Sequence, residues 1–147
     1  MATTMTTKEQ IKQVLEKWKF PVLQENDNSL VFRYQMSFVQ ANITGGDESN
    51  AIALTLSGIF SADNEKEMFL GLRACNDLNC NLLQVKLYID SDSDLIIAAE
   101  FFLKTPEDME YLLTVALQSV IVAKKRFLQR YRELEDEAKL LSELEQE

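Results

Sequence analysis

A chain of 147 residues, 46% hydrophobic, fits one domain with one core, a size at which folding buries roughly two thirds of the unfolded surface. Its formal net charge of -9 and pI near 4.6 exclude the basic footprint that unspecific binding to nucleic acid or to an anionic membrane surface needs. With no histidine in the chain, Ser-His and Cys-His nucleophile pairs, imidazole zinc sites and histidine general bases are excluded as well.

Residues 1–6 carry no apolar pattern and are expected to fray; MATTMTTKEQ has no apolar run or cleavage-type site and does not read as a secretory signal. Thr7 is placed to cap a helix with Gln10 at the reciprocal position, and Ile11, Val14, Leu15 and Trp18 recur at helical spacing until Pro21 stops it. Val22 to Glu25 reads as a short strand and Asn26 to Ser29 as a polar turn. Leu30 to Gln40 reads as one longer strand with Leu30, Phe32, Tyr34, Met36 and Phe38 along one face. These aromatics are assigned to the core, because Arg33, Gln35 and Ser37 on the other face and the acidic balance do not suit a base-stacking platform. Asn42 to Asn50, with Gly45 and Gly46 free to take positive φ, is a hairpin connection to the strand Ala51 to Phe60. No helix start or Lys follows the glycines, as a phosphate cradle would require.

Asp63 to Leu78 is expected as a helix capped by Asp63, with Met68, Leu72, Cys75 and Leu78 on its apolar face. Cys75 and Cys80 fit neither C-x-x-C redox chemistry nor a zinc ligand pair and are expected as buried or half-buried reduced thiols. Gln84 to Asp90 alternates as a half-buried strand, Asp90 to Asp94 is an acidic turn, and Leu95 to Leu103 is a nearly continuous apolar strand. A loop over Asp92 to Asp94 would set Leu87 opposite Ala99, Ile89 opposite Ile97, Val85 opposite Phe101 and Lys86 opposite Glu100. That pairing gives the isolated carboxylate of Glu100 a cross-strand partner. Asp90, Asp92 and Asp94 open like an EF-hand loop, but Leu95 and Phe101 stand where the glycine and the bidentate glutamate are needed, so the segment reads as an ordinary turn and not a metal site.

Thr105, Pro106, Glu107 and Asp108 begin a long helix with Met109, Leu112, Leu113, Ala116, Leu117, Val120 and Ile121 on its apolar face. Run to Glu147 it would reach about 63 Å, against a domain only about 30 to 40 Å across. Tyr111 to Ala123 is too short an apolar run to span a bilayer, so a soluble, cytoplasmic protein is expected. Past Lys124, Phe127, Tyr131, Leu134, Ala138 and Leu141 recur as in a short coiled-coil seam; Phe127, Tyr131, Leu134 and Leu141 are the candidate partner-binding residues. The basic group Lys124, Lys125, Arg126, Arg130 and Arg132 reads as a solvated face balanced by the acids that follow.

The order α-β-β-β-α-β-β-α indicates an α+β domain, a largely antiparallel sheet packed with helices and a long C-terminal helix. Residues 1–147 form a single domain, with 133–147 as a helical extension. The stretch ACNDLNCNLLQVKLYIDSDSDLIIAAEFFL resembles the corresponding part of the YbjN family of bacterial sensory transduction regulators, in which a helix ending in an Asn-x-x-Asn-like pattern feeds a strand, an acidic turn and a strand. The turn here lacks the glycine often seen in that family, and the charged extension past Leu134 is additional. The resemblance implies the fold of type III secretion chaperones and a small, non-enzymatic bacterial protein, chaperone-like or regulatory, that binds another protein or peptide. It implies no catalytic residue, cofactor or metal, and leaves room for a homodimer. The alternative from the residues themselves is an assembly protein that self-associates through the long C-terminal helix.

Overall fold

The computed structural model describes residues 5–45 and 50–146; the glycine-led connection at 46–49 and most of the expected frayed start lie outside the described residues. Helix α1 (Thr7–Lys17) leads into strands β1 (Val22–Asn26), β2 (Ser29–Tyr34), β3 (Ser37–Thr44) and β4 (Ala51–Leu56). Helix α2 (Glu65–Asn79), strands β5 (Val85–Ile89) and β6 (Leu95–Phe102), a 3-10 turn at Pro106–Asp108 and helix α3 (Met109–Glu145) follow. The strands form one six-stranded sheet in the order β1-β2-β3-β4-β6-β5, every neighbouring pair antiparallel. This is the α+β class read from the sequence, with its antiparallel sheet and long C-terminal helix.

The element order holds one more strand than expected, α-β-β-β-β-α-β-β-α. The segment Leu30 to Gln40 is not one strand but a hairpin, turned at Gln35 and Met36 with φ of 46° and 65°. Two successive left-handed residues give the turn a twist that matches the flanking strands. The reversal puts Val39, Ala41 and Ile43 in the core and leaves Phe38 in solvent.

The caps of α1 and α2 fall one residue from their expected places, and the expected start at Thr105 is a 3-10 turn without a side-chain cap bond ahead of α3. Thr6, not Thr7, caps α1: its hydroxyl accepts from the Glu9 amide at 3.2 Å and its own amide donates to the Glu9 carboxylate at 3.0 Å. A carboxylate makes the stronger, charge-assisted half of that box than the Gln10 amide would. Asn64, not Asp63, caps α2, accepting from the Glu67 amide at 2.9 Å. The buried face of α2 is Leu70, Gly71, Ala74, Cys75 and Leu78, while Leu72 is exposed. Gly71 faces the core here: a Cβ there would lie 2.9 Å from side-chain carbons of Phe60 and Ile89, which would have to shift to admit it.

Buried residues of all three helices join Leu30, Phe32, Val39, Ala41, Ile43, Ile52, Leu54, Leu56, Leu87, Ile97, Ala99 and Phe101 in a single cluster. The helices thus cover one face of the sheet and leave the other open. Helix α3, 37 residues and about 55 Å long, buries residues from Met109 to Leu134 and none beyond.

Candidate functional site

The hairpin of β5 and β6 settles Glu100. Its register is Val85 to Ala99, Leu87 to Ile97 and Ile89 to Leu95, with Lys86 opposite Ala98, two residues from the expected pairing. The cause is Asp90. Its side-chain oxygen accepts from the amides of Asp92 and Asp94 at 2.9 and 3.0 Å, and its own amide donates to the Asp94 carbonyl at 2.9 Å. The turn therefore takes all of Asp90 to Asp94. A slip of two preserves the faces, so Lys86 still reaches Glu100 diagonally and forms an ion pair with it. Hydrogen bonding to that carboxylate, and then its charge, hold the Lys86 ammonium above its ordinary pKa. Among the described residues, no group of three Cys, Asp or Glu side chains is arranged to hold a metal ion.

The open sheet face carries the opposite set of side chains. Phe38 lies across from Arg33, Tyr88 across from Ile96 and Phe102 across from Ala51. Phe38 and Phe102 are 60% and 75% exposed. Between them lie Gln40, Asn42, Ala53, Thr55 and Ala98, short or polar side chains on the central strands. Large aromatic side chains thus stand exposed on this face, with short or polar side chains and the Lys86–Glu100 ion pair between them.

The two sheet edges are guarded. On β5 the Asn79 side chain accepts from the Leu87 amide and donates to the Leu87 carbonyl, both at 2.9 Å, standing in for a neighbouring strand. On β1 the pairing is irregular between Val22 and Gln24, and the Lys8 ammonium donates to the carbonyls of Asn26 and Asp27 at 3.3 and 3.4 Å. Irregularity and charge blunt an edge against strand addition.

The four residues singled out on the C-terminal helix separate. Phe127 and Leu134 are buried in the protein's own core. Half-buried Tyr131 packs against Phe60 with ring centroids 4.7 Å apart and stacks on Phe127 at 6.0 Å; burial, with Glu135 and Glu67 nearby, raises its hydroxyl pKa. Leu141 is exposed. Arg130 fixes this part of α3 to α2 through Asp77 at 2.9 Å. Of the cysteines, Cys75 is buried and burial pushes its thiol up to about 11. Cys80 is exposed, contrary to expectation, because it stands just past the end of α2.

No helix among the described residues is long and apolar enough to cross a membrane. No family model and no curated protein matches the chain. Among solved structures, the fold is similar to YbjN from E. coli, proposed to be a transcription regulator, with TM-score 0.65 and 10% identity over 90% of this chain and 97% of that one. It is similar to an uncharacterized protein from Methanothermobacter thermautotrophicus, with TM-score 0.58 and 16% identity over 86% and 96% of the two chains. The Yersinia pestis type III secretion chaperone SycH, solved with a fragment of YscM2, aligns with TM-score 0.48 and 7% identity over 78% and 97%. The YbjN resemblance carried by the hairpin sequence is thus borne out as a shared fold.

Proposed function

We propose that this chain is a non-enzymatic, cytoplasmic protein-binding module, chaperone-like or regulatory, that holds a segment of another polypeptide against its open sheet face. The observation that carries this reading is the exposure of Phe38, Tyr88 and Phe102 on the open face, across central strands of short or polar side chains. Aromatic anchors around a central patch are the side chains that dominate protein interfaces. With both edges guarded, the face is favoured over strand addition as the binding mode. The fold shared with YbjN, itself proposed to regulate transcription, supports a regulatory setting.

The test is affinity capture from a bacterial lysate with the wild-type chain and with Phe38→Ser/Phe102→Ser. A client held by the wild type should be retained roughly tenfold less by the variant, the scale of losing an interface anchor, with far-UV circular dichroism unchanged. Equal retention by both proteins would sink the sheet face as the binding site.

A further inference from the structure

The solvent face of α3 carries a second stripe, in which Glu133 accepts from Gln129 at 3.4 Å and pairs with Arg130 at 3.1 Å. Val122, Arg126, Gln129, Glu133, Asp136 and Leu140 recur at alternating steps of four and three, with Leu144 one turn on, and all are exposed. They line the side of the helix away from the core, apolar at its two ends through Val122, Leu140 and Leu144 and polar or charged between them. Its charges are sorted along the axis: Lys124 to Arg132 holds five cations and no acid, and Glu133 to Glu145 holds six acids and one lysine. Lys125, Arg126, Asp136 and Glu137 make no ion pair among the described residues. Beside the basic half, Val115, Gln118, Ser119 and Val122 of α3 face Leu82, Leu83 and Val85 across an apolar groove of about 210 Å³. Leu83 is 89% exposed.

We infer that two copies of this chain associate through antiparallel α3 helices, the last turns of each lying in the groove beside the basic half of the other. In one register Val122 faces Leu140 of the second copy, Arg126 faces Asp136, Gln129 faces Glu133, and Leu144 comes over Gln118 into the groove. Two-fold symmetry repeats each contact. A parallel pair in register would set Arg126 on Arg126 and Asp136 on Asp136, so the sorted charges select the antiparallel arrangement. Exposed ion pairs add little affinity and chiefly set orientation; burial of Leu140 and Leu144 supplies the driving force. The overlap from Gln118 to Leu144 spans about 40 Å of helix and lies away from the sheet face, so neither surface competes with the other.

Sedimentation equilibrium of the full chain tests this. The wild type should dimerise, with an affinity that weakens as salt rises. Arg126→Asp and Asp136→Arg should each weaken association about tenfold or more, and Leu140→Glu/Leu144→Glu about a hundredfold, with helix content unchanged. Mixing the two single charge variants should restore a dimer, because each then meets its opposite charge across the antiparallel register. A wild type that stays monomeric overturns the inference, including one that instead captures a foreign helix on this stripe. Dimers indifferent to the variants, or single variants that the mixture does not rescue, overturn it equally. Phe38→Ser/Phe102→Ser should leave the dimer intact, so failure here and failure of the sheet-face reading are distinguishable.

Discussion

Asn79 illustrates what one side chain does for the sheet. By pairing both backbone groups of Leu87, it ends α2 and closes the middle of an edge strand together. Replacing it with alanine leaves a donor and an acceptor without a protein partner; because water reaches the site, the expected loss is about 1 to 2 kcal/mol, near the low end for such a deletion. Urea unfolding should show a lower midpoint at unchanged slope, and the uncovered β5 edge should raise the tendency to aggregate. Asn79→Asp keeps the acceptor and loses the donor, so its midpoint should fall between the two. Nothing in the sequence singles out Asn79, because an edge-capping role depends on a strand that arrives eight residues later.

At the scale of the element, the β2–β3 turn shows a local rule broken by tertiary demand. Gln35 and Met36 both occupy left-handed backbone, where glycine or asparagine is favoured and an ordinary side chain is strained. Met36 is 84% exposed, so its side chain contributes almost nothing in return. Met36→Gly is expected to stabilise by roughly 0.5 to 1 kcal/mol, read as a higher thermal midpoint; a lower midpoint would show that Met36 has packing the turn geometry does not reveal. Helix α3 makes the complementary point. Its legible stripe of Phe127, Tyr131 and Leu134 is consumed by Phe60 and the core, and the stripe we infer to pair two copies lies on the other side, where charges outnumber its apolar residues.

Across the whole molecule, α1 is packed on through Ile11 and Leu15 and flanked by ion pairs to exposed carboxylates. Hydrogen bonds from Lys12 and Lys8 hold Glu25 below its ordinary pKa of 4.5. A hydrogen bond from Lys17, and then one from Trp18, does the same for Glu110 at the start of α3. A depressed carboxylate contributes stability that is full above the unfolded value and is lost as pH falls through the folded one. Acid should therefore loosen α1 first. Trp18, the single tryptophan, donates to Glu110 at 3.3 Å and reports it: its emission should change below pH 4.5 before far-UV circular dichroism falls. In Glu110→Ala the emission at neutral pH should already resemble the acid form and respond less to pH. Loss of emission and helix signal in one step would show that α1 does not come away separately.

The sequence by itself determined the α+β class, the location of most strands and helices, the caps of the first two helices to within one residue, and the face of β5 and β6 that meets the core. These are local properties: a period of two or of 3.6, a capping side chain, a run of turn formers. Tertiary structure alone decided the rest. The hairpin register depended on how much of the acidic turn Asp90 could gather around its carboxylate, which alternation cannot report because a slip of two leaves every side chain on its own face. The extra strand depended on a Gln-Met turn with no turn signature. Which stripe of α3 is core and which is free depended on where Phe60 and α2 came to rest. A helix with apolar residues on two faces is resolved only when one of them meets the rest of the protein.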